Sequence, residues 1–538
     1  MIFKYFHTLK YLKAIQIYGR IYSKIKKTFS AYNLPALKLI PNAISNKTSF
    51  INHTPGNSAE NIRSNRFTFL NYSHSFENNI NWNEKSLPLL WLFNLHYFSY
   101  LHLLDRSEQK KLVSNWIANN PVGLEPAWHP YPLSLRIINW IKSGIAHKAI
   151  NENLYTQCAY LYRNLEFYHP ANHYLENAKA LIFGGIYFKG DPNADRWYKK
   201  GVKIYKDKLP EMILDDGCFF ELSPMYHLII LEGLLDILNI SIEETGDYSF
   251  FKQYAEKMLS FLPTITHPNG ELVLFNDTTL EITPLPEEII KYAARLEIYS
   301  KGKVHSGNSA SDFYTYSNKN VFFIIDGGRI GPDHIPAHAH ADIFTYELSY
   351  LGKKIITDSG VYEYASGEMR DYCRITMAHN TVSIDGISQA EMWGGFRVAR
   401  RYYPENIKYE EQASRFVFEG VYTGYGKLIG DNLIHKRTVE IEKDSFQIIV
   451  KDEITGTGSH LVESFIHLHP DVLIKENDDY LVLSSDNISI KLSIFNSKFL
   501  IEEGWYCPEF GKRLKNKVIR IYSDQLPVVF SYSLCEDK

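Results

Sequence analysis

The 538-residue chain is short of cysteine, of long apolar runs and of net charge, and each shortage removes a class of protein. Five cysteines (Cys158, Cys218, Cys373, Cys507, Cys535) stand singly with no CxxC pair, which argues against a disulfide framework or a cysteine-based zinc site. No stretch approaches the roughly 18 uninterrupted apolar residues of a membrane span. Lysines at positions 4, 10 and 13 interrupt any signal-peptide core, so the cytoplasm is the expected location and the periplasm the alternative. A net charge of −3 supplies no global field toward nucleic acid, and an acidic partner requires a local basic patch.

What is present suits a large globular protein. Hydrophobic residues make up 45% and charged residues 22%, enough for more than one core. Aromatics reach 14%, with 38 Tyr against 8 Trp, and tyrosine offers a sugar both an apolar face and a hydroxyl. The opening stretch, MIFKYFHTLKYLKAIQIYGRIYSKIKKTF, reads as a basic amphipathic helix; packing on its own domain is the ordinary expectation and a membrane surface the alternative.

The texture divides in two. From about Ser86 to Ser300, apolar residues recur three and four apart between turn signals such as NPVG and HPNG, which predicts consecutive helices in a bundle, solenoid or toroid. Beyond Lys303, short alternating or β-branched runs such as VFFIIDGG and RFVFEGVYTG predict an antiparallel sandwich. SKGKVHSGNSASD is the expected linker. The expected organisation is an N-terminal helix and connection over 1–66, a helical domain over 67–302 and a sandwich over 303–538.

Four clusters carry chemistry. PDHIPAHAHADIFTY places His338, His340 and Asp342 two apart, on one face of an extended segment. Asp358 in IITDSG and His379 in MAHNTVSID can join them as three ligands of a zinc ion, although such residues also cap strand ends and turns. YHPANHYLENAKAL sets Asn172 and His173 before a helix, where Asn172 also suits an N-cap. DDGCFFELSPMYHLIILEG gives Glu221, Tyr226 and His227. WHPYPLSLRIINW offers Trp128, His129, Tyr131 and Arg136 as a platform for an acidic sugar, or a packed helix start. Arg370, Arg374, Arg397, Arg400 and Arg401 form a candidate patch for carboxylates or sulfates, or a solvated sheet edge.

Five of these stretches, NHYLENAKAL, DGCFFELSPMYH, HAHADIFTYEL, ITDSGVYEY and AHNTVSIDG, resemble in order the heparinase II/III-like polysaccharide lyases and the related alginate lyases. The resemblance implies an (α/α) toroid followed by an antiparallel β-sandwich, with the active site in the cleft between them. It implies β-elimination on a uronic-acid glycan, an acidic polysaccharide or oligosaccharide as partner, and a possible homodimer. It gives Asn172 to the substrate carboxylate, His173 to the adjacent position, Tyr226 to acid or base work and His338 to the sandwich side of the catalysis. His340, Asp358 and His379 match zinc ligands, structural or site-organising. Trp128, His129, Arg136, Glu221, Arg374 and Arg397 are the expected substrate contacts. Only twenty-one residues separate Asp358 from His379, short for the family, so the second catalytic tyrosine is assigned to Tyr372, with Tyr364 as second choice. A metal-dependent glycan hydrolase explains HAHAD but leaves Asn172 and Tyr226 without a task. A non-catalytic glycan-binding protein of surface-polysaccharide synthesis is the third reading.

Overall fold

The computed structural model describes residues 2–29, 34–41, 44–241, 245–302 and 309–537. Residues 303–308 of the expected linker lie outside the described residues.

The helical half is a double layer. Helices Leu89–Tyr97, Pro130–Ser143, Asn172–Tyr187, Pro224–Ile240 and Pro286–Arg295 each pack on the next in that series. Helices Arg106–Asn119, Lys148–Arg163, Pro192–Met212 and Gly246–Phe261 alternate with them in sequence and cover their outer side. The inner position explains the composition. In Asn172–Tyr187 only His173 and Ile186 escape burial, and in Pro224–Ile240 only Ile229 and Glu232. A helix buried nearly all round needs apolar residues on every face, as here. Small residues set the spacing: a Cβ on Gly201 would stand 2.6 Å from the Ala178 carbonyl oxygen, so the helices Asn172–Tyr187 and Pro192–Met212 approach only because glycine is there.

The second half is antiparallel. An eight-stranded sheet runs, in spatial order, through 404–411, 415–422, 434–442, 447–455, 528–536, 488–495, 481–485 and 473–476. Strands such as Arg415–Tyr422 alternate buried and half-exposed residues, the mark of a sheet with one face on a core. A four-stranded sheet (498–509, 512–523, 462–467, 382–384) lies against it.

A second four-stranded sheet (313–317, 321–326, 346–350, 353–356) joins the halves. Strand Val321–Asp326 is buried along its whole length. Because side chains alternate, Phe322 and Ile324 enter the helical core while Val321, Phe323 and Ile325 enter the sandwich core. Across the same seam, buried His267 bonds Glu347 (2.6 Å) and Ser349 (2.8 Å).

The opening stretch forms two helices, Ile2–Leu9 and Ala14–Phe29, rather than one. They cross from the sandwich to the helical half: Thr8 accepts from the Trp393 indole N–H (3.1 Å), and Lys13 pairs with Glu211. The Gln16 amide donates to the His334 carbonyl (2.9 Å).

Candidate active site

Between the two halves lies a cavity of about 1850 Å³, walled by both and by the opening helices. Asn172, His173, Glu221, Tyr226, His338 and Tyr364 line it.

The helical wall is built from helix starts. Asn172 opens its helix as the first helical residue, with Ala171 at the cap position, so its side chain makes no cap. The amide donates instead to Glu221 (3.0 Å to Oε2) and lies 3.4 Å from His338 Nε2; its carbonyl oxygen is buried with no partner among the described residues. Burial pushes the Glu221 carboxyl up against the opposing pull of His338 and Asn172, favouring its protonated form. Ser223 caps the helix that carries Tyr226. The Tyr226 ring lies on the His338 ring, with 4.0 Å between centroids, and its hydroxyl is 3.1 Å from that of Tyr364. Burial raises the Tyr226 pKa, as does Tyr364 beside it, so the phenol holds its proton at neutral pH. His173 stacks on Tyr131 at 4.0 Å and bonds Glu166 at 3.2 Å. Burial opposes its protonation, but Glu166 more than offsets that and raises its pKa.

The sandwich wall is irregular backbone. The HAHAD segment is loop rather than strand, and it is held by Asn276 and Asp277 from the end of the helical half. Asp277 N–H donates to the His338 carbonyl (2.9 Å), and His340 N–H donates to the Asn276 side chain (3.0 Å). The Asp277 carboxylate then takes both rings, His338 Nδ1 on one oxygen and His340 Nε2 on the other, each at 2.9 Å. Arg370 donates to both of its oxygens. Burial alone would raise Asp277, but Arg370 and the two histidine bonds hold it well below the usual carboxylate range. A carboxylate can only accept, so His338 Nδ1 carries a proton, and its Nε2, beside the Asn172 amide, is the nitrogen not held by Asp277.

Behind this wall His340, Asp358 and His379 bring ligand atoms within 4.8 Å of one another, all buried. His340 Nδ1 and His379 Nε2 have no partner among the described residues, while the other nitrogen of each ring is held by Asp277 or Asp358. Carboxylate on one nitrogen and nothing on the other is the arrangement of a metal-binding histidine, so these residues fit an ion. Burial pushes His340 down to about 3, keeping the ring neutral.

Several expected contacts lie elsewhere. Trp128 is fully buried between Trp116 and Tyr160, its indole N–H donating to the Asn120 carbonyl. Arg136 is equally buried, bonded to Gln157 and stacked on Trp116. His129 packs on Phe93 outside the cavity wall and accepts from Tyr131 N–H at the helix start. WHPYPLSLRIINW is therefore largely a packed helix start, and only Tyr131 of the platform reaches the cavity. The arginine patch also dissolves. Arg374 is buried and donates to the backbone carbonyls of Ala339, Gly394 and Arg397, Arg400 pairs with Glu391, and Arg401 is held by Asp333. Arg397 is exposed on the cavity wall, over the Trp393 ring. Tyr372 is turned away and accepts from Trp505 N–H at 3.0 Å, so Tyr364 takes the position given to it. Asp277 was not anticipated; its only signal is a polar pair, FND, ending the apolar run LVLF.

A helical double layer seated on an antiparallel sandwich, with one cavity between them, defines a toroid-plus-sandwich architecture. Family models place the chain within it: heparinase II/III N-terminus matches residues 147–303 and heparinase II/III-like, C-terminal matches 305–533, and the chain belongs to the heparinase II/III-like family. A heparin-sulfate lyase of Bacteroides stercoris is 24% identical over 464 residues, 77% of this chain and 65% of that protein. One of Pedobacter heparinus is 24% identical over 51% of this chain and 47% of its own length, so the match spans less than two thirds of either relative. The crystal structure of a heparan sulfate lyase mutant from Pedobacter heparinus superposes with a TM-score of 0.63 at 19% identity, covering 98% of this chain and 88% of that one. That of heparinase III gives 0.65 at 18%, over 86% and 80%. These likenesses establish the toroid-plus-sandwich fold.

Proposed function

We propose that the protein is a polysaccharide lyase that cuts a uronic-acid glycan of the glycosaminoglycan type by β-elimination in the cavity between toroid and sandwich. The observation that carries this is convergence: Asn172, Glu221 and Tyr226 from one half meet His338 and Tyr364 from the other within hydrogen-bond or ring-contact distance. The names of the relatives supply the substrate class.

Elimination removes the proton at C5, beside the carboxylate, and expels the C4 oxygen. The carboxylate must first be neutralised, because the carbanion forms next to it. Asn172, bonded to Glu221, offers an uncharged hydrogen-bonding group fixed before substrate arrives, an arrangement that contributes several kcal/mol in buried sites, and burial shifts the Glu221 carboxyl toward its neutral form. The Nε2 of His338 takes the C5 proton. Tyr226, holding its proton, delivers it to the leaving oxygen, and the Tyr364 hydroxyl 3.1 Å away is its hydrogen-bond partner. A syn elimination with Tyr226 as both base and acid would need it to start as the phenolate, which its raised pKa opposes.

His340, Asp358 and His379 would hold a zinc ion, which supplies a fixed positive charge that braces the loop aiming His338. A zinc hydrolase would need the ion to face the cavity. The triad is fully buried and none of its residues lines that cavity, which favours the lyase reading. The test is near-ultraviolet absorbance over a panel of uronic-acid glycans, since elimination creates a conjugated double bond. A rise that Tyr226→Phe abolishes supports the lyase; new reducing ends without absorbance would sink it.

A further inference from the structure

The opening helices are turned inside out. A surface helix normally faces its core with apolar residues. In Ala14–Phe29 the positions turned inward are Gln16, 1% exposed, and Gly19, which sits against Phe167 and Tyr168. Ile17, Ile21 and Ile25, spaced four apart, are 45%, 57% and 55% exposed, and Tyr18 and Tyr22 stand beside them. In Ile2–Leu9, Phe3 and Phe6 are exposed as well, at 81% and 62%. No described residue covers this face, and a contiguous apolar surface of this kind marks an interaction site. Charge is equally one-sided. Residues 1–29 hold seven Lys or Arg and no acid, and the first acidic residue of the chain is Glu60, in a molecule whose net charge is −3.

We infer that this face docks on an anionic lipid bilayer, with the isoleucines and aromatics in the headgroup boundary and Lys4 and Lys10 on the acidic headgroups. Charge decides against a second copy as the occupant, because two acid-free basic faces repel. The apolar residues are spread over two successive helices, Phe3 and Phe6 on the first and Ile17, Ile21 and Ile25 on the second. Tyr5, Thr8, Gln16 and Arg20 of the same helices, with Leu12 between them, line the cavity, so a docked molecule holds its cavity wall against the membrane. Ile17, Ile21 and Ile25 do not line it, which separates docking from chemistry.

The test is sedimentation of the full chain with vesicles of phosphatidylcholine, with and without phosphatidylglycerol. Wild type is expected to partition about tenfold or more better onto the anionic vesicles, and the Ile17→Ser/Ile21→Ser/Ile25→Ser variant to lose about tenfold. Lys4→Gln/Lys10→Gln is expected to weaken binding to the anionic vesicles alone. The isoleucine variant replaces exposed residues, so an unchanged melting temperature and unchanged turnover of a soluble glycan establish that only docking is lost. Absence of wild-type binding to either vesicle, or undiminished binding by the isoleucine variant, overturns the inference. So does a wild-type dimer in ultracentrifugation that this variant dissociates, since a second copy then covers the face.

Discussion

The two walls of the cavity are built on different principles. The helical wall places Asn172 and Tyr226 in the first turns of helices whose other faces are buried, so packing alone aims them. The sandwich wall places His338 and His340 on irregular backbone, and a carboxylate from the opposite half aims them. Helix starts position a side chain by core packing, whereas a loop needs a charged tie, and Asp277 with Arg370 is that tie. The helical wall should therefore tolerate loss of a functional group without losing structure, and the sandwich wall should not.

Tyr226→Phe tests the first half of that contrast and carries the largest expected loss of activity. The proposed chemistry predicts a fall in kcat of about a thousandfold or more with the melting temperature nearly unchanged, because only a hydroxyl is removed. Asp277→Asn tests the second half. It leaves the buried Arg370 without its carboxylate and frees the His338 tautomer, so activity should fall about a hundredfold and stability by about 3–5 kcal/mol, read by denaturant unfolding. Equal stability of the two variants would erase the contrast between the walls.

Metal content sharpens the comparison. Elemental analysis is expected to find one zinc per chain, and His379→Ala to lower zinc content, melting temperature and activity together; full activity of thoroughly chelated protein would remove the metal from the account. Among the tyrosines, Tyr364→Phe should cost roughly tenfold in kcat and Tyr372→Phe less than about threefold, since only the first meets the Tyr226 hydroxyl.

The smallest effect belongs to His173 and Glu166. Burial opposes both charges, yet the His173 charge brings Glu166 down to about 2 while Glu166 raises His173. The depressed carboxyl contributes above its unfolded range near 4.5 and is lost as pH falls toward about 2. The raised imidazole contributes below its ordinary 6.5 and is lost as pH rises through its folded value. Glu166→Gln should therefore destabilise by about 1 kcal/mol in mildly acid solution, with the difference shrinking in alkali. A difference that grows with pH would contradict the pairing.

Much of this was legible in the sequence because period and order carry it. Helical spacing before residue 300 and strand alternation after it gave the two halves, and the paired histidines drew attention to 338–340. What was not legible depends on which way a side chain turns. Trp128 and Arg136 have the composition of a sugar platform, yet their helix points them into the core against Trp116. Tyr372 and Tyr364 lie in one short interval, and only the helical turn Glu368–Tyr372 decides which faces the cavity. Asp277 acts across 61 residues on His338 and 93 on Arg370, and no local pattern announces such a tie.

The strand Val321–Asp326 has a consequence for anyone rebuilding this molecule. Its alternate side chains belong to two cores, so the seam is not at the linker where the sequence changes character. A chimera joining the toroid of one relative to the sandwich of another near residue 302 would supply one core with foreign Phe322 and Ile324 counterparts. Moving the junction beyond Ile356 keeps the sheet with the helices it completes, at the expense of a new interface to the large sheet. Either exchange must repack one side of the strand, and neither half is a free module for recombination.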